Sequence, residues 1–168
     1  MPELRFFIEG FAPLPHALAS TLCMKLRVVN ATPEPVHAVW LKCQLQIEPA
    51  KRAYAAAEAA GVAPLFGAPE RWGDTLRPFL WQHAVAMVPG FTGTTIADVH
   101  LACTHDLTQA GARYFSALTA GEVPISAVFS GIALVQGERG VEACPIPWDL
   151  EASYRIPTAL WRDAFGAA

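Results

Sequence analysis

Charged residues are scarce in this sequence. They make up 16% of the 168 residues, against about 25% in an ordinary soluble domain. Lysine and arginine together number 12 and the formal net charge is −3, so the chain lacks a basic surface for nucleic acid. A chain of this mass exposes about 8,100 Å², or about one charge per 300 Å². That density predicts self-association or a protein partner, although an alanine-rich surface would also dilute the charge.

Export and membrane signals are lacking as well. The N-terminal MPELRFFIEGF has no basic stretch followed by an apolar run and a cleavage site. The longest uncharged window, residues 78–97, is interrupted by Pro78, Pro89 and Gly90, so it predicts a strand and a turn rather than a membrane span. We therefore expect a cytoplasmic protein. A hydrophobic content of 53% excludes a disordered chain.

Motifs for nucleotide binding and catalysis are absent. The sequence contains neither GxGxxG nor GxxxxGK, and no Gly-x-Ser-x-Gly elbow. The aspartates are isolated, so no carboxylate pair for acid–base chemistry is evident. We expect no enzymatic activity and no cofactor.

The cysteines form no CxxC motif. Four are present, far apart in the chain, and buried thiols are the simplest interpretation in a reducing compartment. Cys103 and His105 are the candidates for a metal or small-ligand site, with His83 or Cys43 as a further ligand from elsewhere. The alternative is an inward-facing Cys103 at a strand end, followed by Asp106 as the N-cap of the next element.

Period-two alternation dominates the chain. Apolar residues alternate with polar ones over residues 36–48 and 21–29, with turn residues between, so we expect these two strands to form an antiparallel hairpin. Further strands are predicted at 4–9, 81–88, 94–103 and 123–136, the last pairing with 141–148. Helices are expected at 51–60, ending at Gly61, and after Pro157. Residues 107–118 fit a helix or a strand.

These elements predict one mainly β domain over residues 1–168. The expected architecture is an antiparallel β-sandwich with two or three short helices, and an α+β sheet is the alternative.

The stretch from residue 71 to 81 is the candidate interaction site. Arginine and tryptophan are enriched at protein interfaces, and a proline–glycine loop here carries both. Its candidate contact residues are Arg71, Trp72, Asp74, Arg77 and Trp81. The competing interpretation is a loop folded onto its own sandwich, with both tryptophans in the core.

Three segments carry a family resemblance. They are VHAVWLKCQLQIEPAKRAY, LFGAPERWGDTLRPFLWQHAVAMVPGFTGTT and PIPWDLEASYRIPTALW. The sequence resembles an uncharacterised bacterial domain family of unknown function, associated with gene clusters for actinobacterial-type [NiFe]-hydrogenases. The resemblance implies a non-catalytic accessory protein for hydrogenase assembly or maturation, and it supplies no catalytic residue. The expected partner is a hydrogenase subunit, a maturation factor or a second copy of this chain.

Overall fold

Eight strands and four α-helices make up the chain in a computed structural model that describes residues 1–14, 21–102, 109–147 and 149–165. The strands are β1 (Leu4–Pro13), β2 (Thr21–Asn30), β3 (Val36–Ile47), β4 (Phe79–Phe91), β5 (Thr94–Ala102), β6 (Glu122–Gly137), β7 (Gly140–Pro145) and β8 (Glu151–Pro157). The helices are α1 (Ala56–Phe66), α2 (Trp72–Thr75), α3 (Gln109–Ala117) and α4 (Thr158–Phe165), with 3₁₀ turns at Pro49–Lys51 and Pro69–Arg71. None of these helices has the length and apolar character needed to cross a bilayer.

The strands form two antiparallel sheets. One has the order β1-β2-β5; the other has the order β4-β3-β6, and both β7 and β8 pair with the far side of β6. Apolar side chains from both sheets belong to one buried cluster. The Phe6 and Phe129 rings, one from each sheet, stack at 4.4 Å. The mainly β, sandwich-like prediction is confirmed.

The predicted hairpin between residues 21–29 and 36–48 is wrong. β2 lies between β1 and β5, whereas β3 lies between β4 and β6, so residues 31–35 carry the chain from one sheet to the other. Asn30 shapes this crossing: its side chain donates to the Glu34 carbonyl at 2.9 Å and accepts from the Thr32 amide at 3.1 Å. Turn residues reverse the chain in either case, and the choice of sheet depends on distant strands.

The first helix also differs from its prediction. It runs over Ala56–Phe66, so Gly61 lies inside it and Gly67, with a φ of 78°, ends it. A Cβ atom at Gly61 would lie 2.8 Å from Cβ of Ala117, on the neighbouring α3. Gly61 therefore allows α1 and α3 to pack closely, and Gly67 ends α1.

Helices close one end of the sandwich. The ambiguous segment 107–118 contains the helix Gln109–Ala117, whose Phe115 ring stacks on Trp161 of α4 at 4.5 Å. The predicted β6–β7 hairpin is confirmed, because Gly137 pairs with Gly140. Strand β8 was not predicted from the sequence.

Candidate functional site

The segment after α1 is tied to the body of the protein by side-chain hydrogen bonds. Thr75 Oγ1 donates to the Phe66 carbonyl at 2.6 Å, and Trp72 Nε1 donates to the Gly67 carbonyl at 3.1 Å. Trp72 is half-buried. These two bonds attach Trp72 and Thr75, at the two ends of α2, to the C-terminal end of α1. The short helix α2 is therefore held in place against α1.

Trp72 packs on an aromatic pair formed by the half-buried Tyr54 and the fully buried Tyr114. The Tyr54 ring meets Trp72 edge-on at 5.2 Å, and its hydroxyl donates to the Pro49 carbonyl at 2.6 Å. The Tyr114 hydroxyl lies 2.5 Å from that of Tyr54. Burial raises the pKa of both tyrosines, so both hydroxyls are neutral and act as hydrogen-bonding groups.

An ion pair in the same region is almost fully buried. Arg52 Nη2 lies 2.9 Å from Glu58 Oε2, with side-chain exposures of 8% and 4%. Glu58 also accepts from the amides of Ala55 and Thr119, each at 2.9 Å. Burial alone would raise the pKa of Glu58, but these hydrogen bonds and the Arg52 charge hold that pKa below its usual range. Because its oxygens are taken up by these donors, the carboxylate supports the fold.

The candidate contact residues divide into three groups by exposure, of which the half-buried Trp72 is one. Arg71, Asp74 and Arg77 are exposed on one short segment, where Arg77 Nε donates to the main-chain carbonyl of Asp74 at 2.9 Å. None of the three takes part in an ion pair within the described ranges. Trp81, by contrast, is 2% exposed and packs on Phe115, so its ring is not available to a partner.

The candidate metal ligands are not assembled by the described part of the chain. His83 is exposed on β4, opposite Gln44 of β3, while Cys103 and His105 lie outside the described residues. Among those residues, no group of three or more histidine, cysteine or acidic side chains could hold an ion. Cys43 is 1% exposed, and burial raises its pKa to about 12. The metal site stays a prediction.

One surface was missed from the sequence. The outer side of the five-stranded sheet carries large exposed apolar side chains, among them Trp40, Val85, Met87 and Ile132. The signal was present, because Trp40 stands on the polar side of the alternating strand over residues 36–48. An antiparallel sheet facing water is normally polar on that side.

Distant structural likenesses are found among solved proteins. The CARDB domain of the PF1109 protein from Pyrococcus furiosus, solved in complex with di-metal ions, has a TM-score of 0.35 and 11% identity over 93% of this chain and 92% of that chain. A protein from Archaeoglobus fulgidus has a TM-score of 0.29 and 10% identity, over 92% of this chain and 97% of that one. A β-glucosidase from Kluyveromyces marxianus has a TM-score of 0.30 and 7% identity, over 92% of this chain and 15% of the enzyme. These likenesses are too distant to indicate a function.

Sequence comparison gives a clearer result. No curated protein matches the chain. The model of a family of unknown function, DUF6084, matches residues 1–167. Because the match extends over almost the entire sequence, the chain belongs to the DUF6084 family.

Proposed function

We propose that this chain is a non-catalytic, cytoplasmic interaction protein that assists the assembly or maturation of a [NiFe]-hydrogenase. The observation that carries the interaction role is the segment around α2, where Arg71, Asp74 and Arg77 extend into solvent from a base held by Trp72 and Thr75. The resemblance to a family associated with hydrogenase gene clusters supplies the partner class.

The segment suits recognition for an energetic reason. Binding costs free energy for every side chain and loop that must be ordered, and here the backbone is already fixed by hydrogen bonds at Phe66 and Gly67. Two guanidinium groups and one carboxylate within seven residues favour a partner surface that carries carboxylates beside a basic group. The partner would be a hydrogenase subunit or a maturation factor.

Affinity capture from the native host, grown under conditions that induce the hydrogenase, tests this proposal. Tagged wild-type protein is compared with an Arg71→Glu/Arg77→Glu variant by mass spectrometry. The matched control is Arg139→Glu, at an exposed arginine in the turn between β6 and β7. We expect hydrogenase subunits or maturation proteins to be enriched with the wild type and the control, and lost with the double variant.

Two results would contradict the proposal in different ways. If no hydrogenase protein is enriched by the wild type, the hydrogenase role is wrong. If enrichment is equal for all three proteins, the α2 segment is not the contact surface. Far-UV circular dichroism of each variant separates lost binding from lost folding, and the exposure of all three arginines predicts unchanged spectra.

A further inference from the structure

The outer side of the five-stranded sheet is divided into an apolar half and a polar half. Antiparallel pairing places Met87, Trp40, Ile132 and Pro145 in one row across four strands. On one side of this row, the next solvent-facing row contains Pro89, Ala38, Leu134 and Ala143. On its other side, the neighbouring row begins with Val85 of β4. We call these nine residues the apolar face. Val85 is 61% exposed, Met87 59% and Trp40 55%, so the described chain leaves this face open to solvent.

The outer side of the three-stranded sheet is different in character. Lys25 and Asp98 form an ion pair there at 2.6 Å, and Arg27 pairs with Glu9. Two large apolar side chains are exposed on this side: Phe7 lies under the Arg27 guanidinium at 4.4 Å, and Ile96 is 52% exposed beside Arg27. Paired charges of this kind are typical of a sheet surface that faces water. The apolar face therefore reflects a property of one sheet, and not a general shortage of charge.

We propose that a second copy of this chain packs on the apolar face, so that the two five-stranded sheets lie face to face. The first argument is area. Outward residues on a sheet each cover about 33 Å², from about 4.8 Å between strands and about 6.8 Å between alternate residues. The nine residues of the apolar face thus offer about 300 Å². The whole outer side of the five-stranded sheet, with about two dozen outward positions, offers about 800 Å², the share that each partner contributes to a standard stable interface.

The second argument is charge complementarity. Homodimers use twofold symmetry, which places one surface against itself. A twofold axis parallel to the strands, between β3 and β6, sets β3 against β6 of the second copy. Trp40 then meets Ile132, and Lys42 meets Ser130 rather than another lysine.

The same twofold axis also brings compatible side chains together in the polar half of the sheet. His83, Gln44, Val128 and Glu151 form one row across β4, β3, β6 and β8. The axis reverses this row, so His83 of one copy meets Glu151 of the other. The dimer therefore buries the apolar face in one half and sets the His83 ring, a hydrogen-bonding group, against the Glu151 carboxylate in the other half, with no like-charge contact in these rows.

Sedimentation equilibrium of the purified chain tests the proposal. We expect a mass twice the 18.1 kDa of the chain at micromolar concentration. Ile132→Glu places an unpaired carboxylate at the centre of the interface and should weaken the dimer on the order of a hundredfold or more. The matched control is Ile96→Glu, the same substitution at a 52% exposed position on the other sheet, which should leave the dimer intact.

A cross-linking experiment tests the arrangement. His83 and Glu151 are separated by the width of three strand spacings within one chain, about 14 Å, so they cannot form an intrachain disulfide. Mixed His83→Cys and Glu151→Cys proteins should form a heterodimeric disulfide on mild oxidation, and neither variant alone should cross-link beyond the wild type.

Several results would overturn the proposal. Three results would each exclude the apolar face as the dimer contact. The wild-type chain could stay monomeric even at about a hundred times micromolar concentration. The Ile132→Glu protein could fold and remain dimeric, or the Ile96→Glu protein could dissociate. Dissociation by Ile132→Glu without a mixed disulfide would overturn the proposed axis. None of these outcomes depends on the hydrogenase, so failure here is separate from failure of the proposed function.

Discussion

Glu58→Ala is the substitution whose consequence can be followed most directly from the structure. It removes a carboxylate that accepts from Arg52 Nη2 at 2.9 Å, from the amides of Ala55 and Thr119 at 2.9 Å each, and from the amide of Ala120 at 3.4 Å. The Arg52 guanidinium stays in place, because it also donates to the carbonyls of Glu122 and Ala120. The substitution therefore leaves a buried cation without its counter-charge.

The magnitude follows from the burial of the pair. Breaking a buried ion pair by removing one partner costs about 3–5 kcal/mol, a large share of the roughly 5–15 kcal/mol that stabilises a typical protein. With a slope of about 2 kcal/mol per molar urea, the midpoint of unfolding should fall by about 2 M. Tryptophan fluorescence suits the measurement, since Trp72 lies beside Tyr54 near the ion pair.

The control is a carboxylate that also forms an ion pair but is exposed to solvent. Asp98 pairs with Lys25 at 2.6 Å, and these side chains are 50% and 46% exposed. Asp98→Ala should cost less than about 1 kcal/mol, as exposed pairs do. A loss below about 1 kcal/mol for Glu58→Ala would refute the reasoning. A double-mutant cycle with Arg52→Met should give a coupling of about 0.5–3 kcal/mol.

Three further results are expected. The pKa of Glu58 is lowered on folding, so its contribution is present above the usual pKa of a glutamate and is lost as pH falls through the lowered pKa of the folded state; urea midpoints of the wild type should decline with acid more steeply than those of Glu58→Gln. Cys43, with a pKa of about 12, should stay unlabelled by iodoacetamide at pH 8 until urea is added, as peptide mapping would detect; rapid native labelling would contradict its burial. Gly131→Ala should prevent stable folding, because φ is +133° and the added Cβ would lie 1.9 Å from the Trp40 carbonyl oxygen; thermal melts would test this against Gly73→Ala, where a Cβ meets nothing within 4 Å.

The two proposed surfaces allow two contacts at once. The α2 segment follows α1, at the helical end of the sandwich, while the apolar face lies on the outer side of β3, β4, β6 and β7. A dimer formed through the sheets would carry two α2 segments, and a bivalent protein of this kind binds a clustered partner more tightly than either copy alone.

The candidate site was predictable only in part. Its residue types could be recognised, because Arg and Trp on a proline–glycine stretch are conspicuous in the sequence. The separation of Trp72, half-buried beside Tyr54, from Trp81, 2% exposed in the core, could not be predicted. Both lie near turn residues, and their burial depends on Tyr54 and Phe115, which come from other parts of the chain.

Local alternation determined the strands. Period-two patterning over residues 36–48 indicated β3 and its inward side, and the same pattern indicated β2 and β5, because successive side chains of a strand point to opposite sides whatever its neighbours are. The strand β6 was indicated by its β-branched and aromatic residues. The low charge content and the family resemblance were likewise evident from the sequence alone.

The tertiary structure alone decided which strands are partners and which outward residues stay exposed. Turn residues after β2 are compatible with a hairpin, yet the chain crosses to the other sheet. Gly61 resembles a helix end, yet it meets Ala117 inside a helix–helix contact. In both cases the deciding contacts join residues far apart in sequence, and a local pattern carries no information about partners that only folding brings together.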